Sequence, residues 1–349
     1  MTKQSAQSKT PTVTITSGQL SGTWTGSKKD QPQIAIFNGI PYAAPPVGEL
    51  RWRPPQPVEP WTKIRKATAT GPSAWQRAGD VDVFLTGLIE GQGWGRLRTA
   101  LVKRLATLAS PKQDEDCLYL NVYTPTLDNK AKLPVMVWIH GGDHQDGSGS
   151  DPIYTSTTLA KQGIVYVSIN YRLGLLGYFA HPELTAESEQ EIGHSVSGNY
   201  GTLDQIAALK WVRSNIAAFG GDPDNVTIFG ESAGGESVAH MMTSPLAEGL
   251  FHRAIMQSPA NAGQMIHLSR RFLDHLSGEE IGLEFAAQLG LDQLMVQKLK
   301  LMLPVSWPHV LEEFQVRKLV LFCLCLVLLL QVAETFKIKT ANPHLIKLF

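Results

Sequence analysis

A serine flanked by glycines is the first feature of this sequence that could carry out chemistry. Ser232 is the central residue of a G-x-S-x-G pattern whose two glycines are Gly230 and Gly234. An apolar run, NVTIF at 225–229, leads directly into the pattern, and the segment GGESVAHMM that follows is compatible with a helix. A strand that turns sharply into a helix here presents the serine hydroxyl at a sheet edge, and the glycines leave room for neighbouring backbone. We therefore predict that Ser232 is a nucleophile.

A second glycine pair could supply the other groups that acyl transfer requires, which are backbone N–H donors for a developing oxyanion. The apolar run LPVMVWI at 133–139 is followed by His140 and then by this pair. In such architectures one further donor comes from the residue after the nucleophile. We expect an oxyanion hole built from the N–H groups of Gly141, Gly142, Asp143 and Ala233. The alternative for each motif is an ordinary glycine-containing turn without chemistry.

Both motifs lie among apolar runs that are typical of buried strands. Further runs are IVYVSIN at 164–170 and RAIMQ at 253–257, and the segment 202–219 has apolar residues at helical spacing. Apolar strands that alternate with helices indicate a mainly parallel sheet covered on both faces, which is an α/β fold. Ligands of such folds bind at the carboxyl ends of the strands, where both motifs would lie.

The first part of the chain has a different pattern. Residues 13–42 alternate short β-prone runs with glycine turns, which predicts antiparallel strands. The proline-rich stretch at 45–61 is predicted to be a loop, because proline removes backbone donors. Residues 96–109 carry leucines at helical spacing. Residues 1–12 are polar, and we expect them to form a disordered tail.

Five long motifs extend this pattern over most of the chain. They are EDCLYLNVYTP (115–125), WIHGG (138–142), VSINYRLG (167–174), GNYGTLDQIAALKWVRSNIAAFGGDPDNVTIFGESAGG (198–235) and FHRAIMQSP (251–259). Together they resemble type-B carboxylesterases, the α/β-hydrolase group that includes the cholinesterases, and they occur in the family order. The resemblance implies an α/β-hydrolase fold and a serine hydrolase that acts on carboxylic esters through an acyl-enzyme. We expect 13–295 to form the N-terminal part of such a domain.

Two positions depart from the family pattern. Asp143 takes the place of a third glycine, and its carboxylate either turns away into loop hydrogen bonds or faces the site and influences water or substrate. Cys117 stands in the EDCL motif, whose cysteine many family members pair with an earlier one. No cysteine precedes Cys117 here, so that disulfide is not expected.

The resemblance also implies a histidine base and an acidic residue after the nucleophile, in the order acid then histidine. We find neither in a family-like context, so the activity of the chain is doubtful, and we expect little or no turnover. Each histidine after Ser232 is more readily explained as an ordinary helix or loop residue than as the base. These histidines are His240, His252, His267, His275, His309 and His344.

The family pattern stops near Leu291, and a divergent tail is expected at 296–349. Its leucine-rich run at 319–330 is shorter than the roughly 20 residues that span a bilayer, so no membrane span is predicted. The run is interpreted as a buried or aggregation-prone segment. A truncated or frameshifted coding sequence would produce such a change of pattern.

Composition excludes some classes of partner. Basic and acidic residues number 31 each, so no overall charge attracts nucleic acid. Three cysteines and an N-terminus without an apolar core favour a cytoplasmic location. We expect a small-molecule ester as substrate and neither a cofactor nor a metal, and the oligomeric state stays open.

The alternatives to an esterase are a non-catalytic binding relative and a truncated product without function.

Overall fold

The computed structural model describes most of the expected hydrolase domain. The described residues are 10–25, 33–76, 95, 98–101, 112–155, 157–259, 266–271 and 275–288. The expected tail at 1–12 lies outside this set except for its last three residues, and a strand begins at Thr12. Of the helix expected at 96–109, residues 98–101 are described as helical, and the divergent tail at 296–349 lies wholly outside the described residues.

Ten strands are described. They are β1 (Thr12–Ile15), β2 (Gly18–Ser21), β3 (Thr23–Trp24), β4 (Ala35–Pro41), β5 (Arg65–Lys66), β6 (Tyr119–Thr124), β7 (Leu133–Ile139), β8 (Val165–Ile169), β9 (Gly221–Glu231) and β10 (Arg253–Gln257). Seven form one sheet in the order β10-β9-β7-β8-β6-β4-β3, and β1, β2 and β5 form a small sheet. The strands from β10 to β8 are parallel, whereas β6, β4 and β3 pair antiparallel. The sheet is therefore parallel where the two motifs lie.

The apolar runs of the sequence explain why these strands are buried on both faces. Val135, Val137 and Ile139 of β7 are fully buried in the larger hydrophobic core. Trp138, which points to the opposite face because side chains alternate along a strand, packs in a second core against Phe229 of β9. A parallel strand that is covered on both faces requires such a continuous apolar run.

Helices cover both faces of the sheet. The α-helices with defined bounds are α1 (Thr158–Lys161), α2 (Gly174–Tyr178), α3 (Pro182–Ile192), α4 (Tyr200–Asn215), α5 (Ala233–Thr243) and α6 (Gly278–Gln288). Leu209 of α4 and Val238 of α5 belong to the larger core, on the Val137 side of the sheet. Ala160 of α1 belongs to the second core with Trp138. The α/β-hydrolase architecture predicted from the sequence is confirmed.

A buried ion pair fixes α4 to the loop after β8. The Arg172 guanidinium donates from Nε to Oδ2 and from Nη2 to Oδ1 of Asp204, with both distances 2.7 Å, and both side chains are almost fully buried. The same loop reaches the loop after β7, because the N–H of Gly174 donates to the carbonyl of His144 at 2.7 Å. The ion pair therefore supports the backbone around the candidate oxyanion loop.

One edge of the large sheet is uncovered in the described structure. β10 pairs only with β9, and Ile255 and Met256 are 45% and 43% exposed. Edge strands of this kind present unpaired backbone groups to other chains.

Within the described residues, no helix combines the length and the apolar character that crossing a membrane requires.

Candidate active site

Ser232 occupies the turn between the end of β9 and the start of α5. Its backbone has φ 54° and ψ −125°, a region that non-glycine residues rarely adopt and that marks local strain. The Ser232 N–H donates to the carbonyl of Gln257 at 2.9 Å, and the Glu236 N–H donates to the carbonyl of Ser232 at 3.0 Å. The strand–turn–helix that the sequence predicts around Ser232 is therefore present.

The two flanking glycines permit this tight turn. A Cβ at Gly230 would collide with the backbone of Gly234, and a Cβ at Gly234 would collide with the carbonyl oxygen of Ile139. Both obstacles are backbone atoms, which cannot move aside as a flexible side chain can. Glycine at these two positions therefore follows from the close approach of β7, β9 and the start of α5.

The loop after β7 lies directly against Ser232. A Cβ placed on Gly141 would be 3.3 Å from the Ser232 Cβ and 2.5 Å from the carbonyl oxygen of Glu231. Gly142 has φ 100°, and its carbonyl accepts hydrogen bonds from the N–H groups of Gln145 (2.8 Å) and Asp146 (3.0 Å). Ala233 is buried at the first position of α5. The structure thus places Gly141 and Ala233, two of the four residues that the sequence predicts for an oxyanion hole, next to Ser232.

The side chains of His140 and Tyr171 hold this loop through hydrogen bonds to its backbone carbonyls. The two rings stack with centroids 4.4 Å apart, and the Tyr171 hydroxyl donates to the carbonyl of His140 at 2.8 Å. His140 Nδ1 lies 2.8 Å from the carbonyl oxygen of Gly141, and an N–H at Nδ1 donates to it. Burial lowers the pKa of His140 to about 4, so its imidazole is neutral near pH 7. A neutral ring therefore sets the position of the Gly141 carbonyl.

Asp143 follows with an unusual backbone and an exposed side chain. Its φ is 52°, and no described residue forms a hydrogen bond with its carboxylate. The pKa of that carboxyl is raised, first by loss of hydration and second by repulsion from the Glu236 carboxylate. Glu236 lies in the first turn of α5, the helix that follows Ser232.

Comparisons with known proteins agree with this geometry. The family model described as "Carboxylesterase family" matches residues 9–300. The chain belongs to the carboxylesterase family. It is 43% identical over 254 residues to fumonisin B1 esterase of Sphingopyxis macrogoltabida, a match that covers 73% of this chain and 41% of that protein. It is 44% identical over 250 residues to para-nitrobenzyl esterase of Bacillus subtilis, which covers 71% of this chain and 44% of the relative.

Solved structures show the same relationship. A thermophilic PNB esterase superposes with a TM-score of 0.67 and 35% identity, over 88% of this chain and 54% of that one. A carboxylesterase of Geobacillus stearothermophilus superposes with a TM-score of 0.65 and 34% identity, over 87% and 53%. The chain thus spans only about half of these structures and 41% to 44% of the two curated relatives above.

A cluster of titratable side chains next to the carboxylesterase motifs was missed by sequence reasoning. Glu236 of α5 lies between two histidines: its Oε2 is 3.9 Å from Nε2 of His144, and its Oε1 is 4.0 Å from Nε2 of His240. The Tyr178 hydroxyl lies 3.2 Å from Nδ1 of His144. The i, i+4 spacing of Glu236 and His240 was a signal that could have indicated half of this cluster.

The other histidines predicted to be ordinary residues have ordinary surroundings where they are described. His252 Nδ1 accepts a hydrogen bond from the N–H of Val226, and His267 Nδ1 accepts from the N–H groups of Ser269 and Arg270. His275 is exposed, and His309 and His344 lie outside the described residues.

Among the residues that the structure describes, no group of three His, Cys, Asp or Glu side chains is arranged to hold a metal ion.

Proposed function

We propose that this chain forms an acyl-enzyme on Ser232 and so acts on small carboxylic esters. The observation that carries the proposal is the contact of Gly141 with the strained turn of Ser232. Acyl transfer needs a nucleophile and oxyanion donors at one point, and this contact supports both roles. The names of the two curated relatives, an esterase of fumonisin B1 and one of para-nitrobenzyl esters, agree with a carboxylic ester as substrate.

The proposed reaction begins with attack of the Ser232 hydroxyl oxygen on the ester carbonyl carbon, while the hydroxyl proton passes to water and a proton is later returned to the leaving alcohol oxygen. The carbonyl oxygen becomes an oxyanion, which the N–H groups of the oxyanion loop and of Ala233 stabilise, aided by the positive end of α5. Collapse of the tetrahedral intermediate expels the alcohol and leaves the acyl group on Ser232, from which water releases the acid. The exposed carboxylate of Asp143 opposes negative charge near this point, so we expect slower acylation than a glycine there would allow.

We expect activated aryl esters to acylate Ser232 faster than alkyl esters do. An alkyl alcohol leaves the tetrahedral intermediate only with a proton from a general acid, whereas p-nitrophenolate departs without one.

The proposal is tested by intact-protein mass spectrometry after incubation with p-nitrophenyl acetate. We expect one acetyl group on the wild-type chain and none on Ser232→Ala. The matched control is Ser269→Ala, which removes an exposed hydroxyl that belongs to neither the elbow nor the oxyanion loop and should leave acetylation unchanged. Equal acetylation of wild type and Ser232→Ala would show that Ser232 is not the nucleophile.

A further inference from the structure

Three consecutive carbonyl groups of the oxyanion loop, residues 140–143, each accept a hydrogen bond from a fixed donor. The carbonyl of His140 accepts from the Tyr171 hydroxyl at 2.8 Å, and the carbonyl of Gly141 accepts from Nδ1 of His140 at 2.8 Å. The carbonyl of Gly142 accepts from two N–H groups further along the same chain segment. Three successive peptide planes of the loop therefore have a defined direction.

The direction of each carbonyl also fixes the direction of one N–H group. In a planar trans peptide, the C=O of one residue and the N–H of the next residue point in opposite directions. The three bonded carbonyls thus orient the N–H groups of Gly141, Gly142 and Asp143. Among the described residues, none accepts a hydrogen bond from these three N–H groups. They are therefore available to a ligand oxygen beside Ser232.

The ring of His140 can hold its carbonyl partner in only one tautomer. The atom that faces Nδ1 is a carbonyl oxygen, which only accepts, so the ring proton resides on Nδ1. Nε2 then carries no proton, and it is buried without a hydrogen-bond partner. Burial keeps the ring neutral, and its stack on Tyr171 fixes the ring plane. Tyr171 thus holds both the backbone and the ring of His140.

Gly147 and Gln76 cover the hydrogen bond between His140 and Gly141. A Cβ on Gly147 would lie 2.5 Å from His140 Nδ1 and 2.8 Å from the Gly141 carbonyl oxygen, so the Gly147 backbone packs against both atoms. The side-chain amide of Gln76 binds this backbone twice: its Oε1 accepts from the N–H at 2.8 Å, and its Nε2 donates to the carbonyl at 3.0 Å. A hydrogen bond shielded from water in this way is stronger than an exposed one.

We propose that Tyr171 and His140 are positioning residues that aim the N–H groups of Gly141 and Gly142 at the oxyanion formed when Ser232 is acylated. The inference rests on the proposed function, because it assigns a role within the same site. Each side chain acts through a carbonyl, and the N–H at the other side of that peptide meets the developing negative charge. A donor to the carbonyl also polarises the peptide, which strengthens the hydrogen bond that its N–H makes.

Tyr171→Phe keeps the ring and removes the hydroxyl donor. At saturating p-nitrophenyl acetate we expect acylation to slow by about 10- to 10²-fold, less than the roughly 10²- to 10³-fold that loss of an oxyanion donor costs. The half-saturating ester concentration should stay unchanged, because the N–H groups bind the oxyanion and not the ground state.

Thr124→Val is the matched control for Tyr171→Phe. Thr124 is fully buried, and its hydroxyl also donates to a backbone carbonyl at 2.8 Å, that of Phe219. Phe219 precedes β9, whereas Ser232 follows it, so this bond lies at the other end of the sheet. Thr124→Val should lose stability as Tyr171→Phe does and still acylate at the wild-type rate. Equal acylation by the two variants would overturn the role of Tyr171.

His140→Asn and His140→Leu separate the hydrogen bond from the packing of the ring. The two substituted side chains have similar shapes and both lose the stack on Tyr171, but only the amide of His140→Asn can donate to the Gly141 carbonyl. We expect His140→Leu to acylate at least about 10-fold more slowly than His140→Asn. Equal rates would overturn the assignment of this hydrogen bond.

Nuclear magnetic resonance tests the inference without an ester. The ¹⁵N chemical shifts of His140 should be those of a neutral ring protonated at Nδ1, and the opposite tautomer would overturn the inference. Tyr171→Phe should shift the amide signals of Gly141 and Gly142, whereas Thr124→Val should leave both in place. The expected tautomer in a wild-type chain that is not acylated on Ser232 would support the orientation of the loop and overturn the esterase proposal alone.

Discussion

At the scale of single residues, the elbow depends on backbone contacts that no side chain can replace. Gly234→Ala would place a methyl group against the carbonyl oxygen of Ile139, and the backbone around Ser232 would have to shift. We expect the variant to lose acetylation of Ser232 and to have a free energy of unfolding lower by about 1–3 kcal/mol, as overpacked sites do. Acetylation by p-nitrophenyl acetate and denaturant unfolding would measure both effects.

Gly95→Ala is the matched control for this prediction. A Cβ on Gly95 meets no atom within 4 Å, and its φ is not positive, so the same change should be neutral there. Unaltered acetylation of Gly234→Ala would mean that the elbow tolerates a displacement and that its geometry matters less than we infer.

The residues whose roles follow from a local pattern were predictable, and those whose roles follow from tertiary contacts were not. Ser232 and its glycines form a contiguous pattern that encodes one tight turn. His144 and Glu236 are far apart in the sequence, and they meet only because β7 and β9 are neighbours in the sheet. Asp143 was predicted either to form loop hydrogen bonds or to face the site, and its exposure depends on how the loop folds against α5.

At the scale of elements, all four continuous apolar runs correspond to strands, since burial on both faces requires such runs, but the runs at 164–170 and 225–229 differ in their bounds from β8 (Val165–Ile169) and β9 (Gly221–Glu231). The runs at 133–139 and 253–257 coincide with β7 and β10. The apolar period at 202–219 continues through α4 into a 3-10 helix, Ile216–Phe219, which ends at Gly220 with φ 76°. Periodicity could not locate this change of helix type, because i+3 and i+4 spacings overlap over one turn.

The buried ion pair between α4 and the loop after β8 is expected to contribute more to stability than an exposed ion pair does. Asp204→Asn leaves the Arg172 guanidinium buried without a counter-charge, and breaking a buried pair in this way costs about 3–5 kcal/mol. The exposed pair of Arg213 and Asp224 has a similar distance, 2.6 Å, but water screens it. Asp224→Asn should therefore change the free energy of unfolding by no more than about 1 kcal/mol. Urea titrations that gave equal losses for the two variants would contradict the difference in burial.

At the scale of the whole molecule, the described sheet has an exposed edge strand, which favours association with a second chain. β10 exposes Ile255 and Met256 on opposite faces and has a single neighbouring strand, β9. An exposed apolar edge strand offers both unpaired backbone groups and hydrophobic surface to another chain. We therefore expect the purified chain to associate as its concentration rises, with β10 at the contact.

Ile255→Lys tests this expectation, because a charged side chain on an edge strand disfavours pairing with another strand. We expect size-exclusion chromatography with light scattering to show a larger monomeric fraction at equal concentration. Ile153→Lys is the control, because Ile153 is 72% exposed and lies outside the described strands. This substitution removes the same apolar side chain as Ile255→Lys does, without altering the sheet edge. An equal gain from both variants would attribute association to general hydrophobicity. A gain from Ile255→Lys alone would locate it at β10, next to the strand that ends at Ser232.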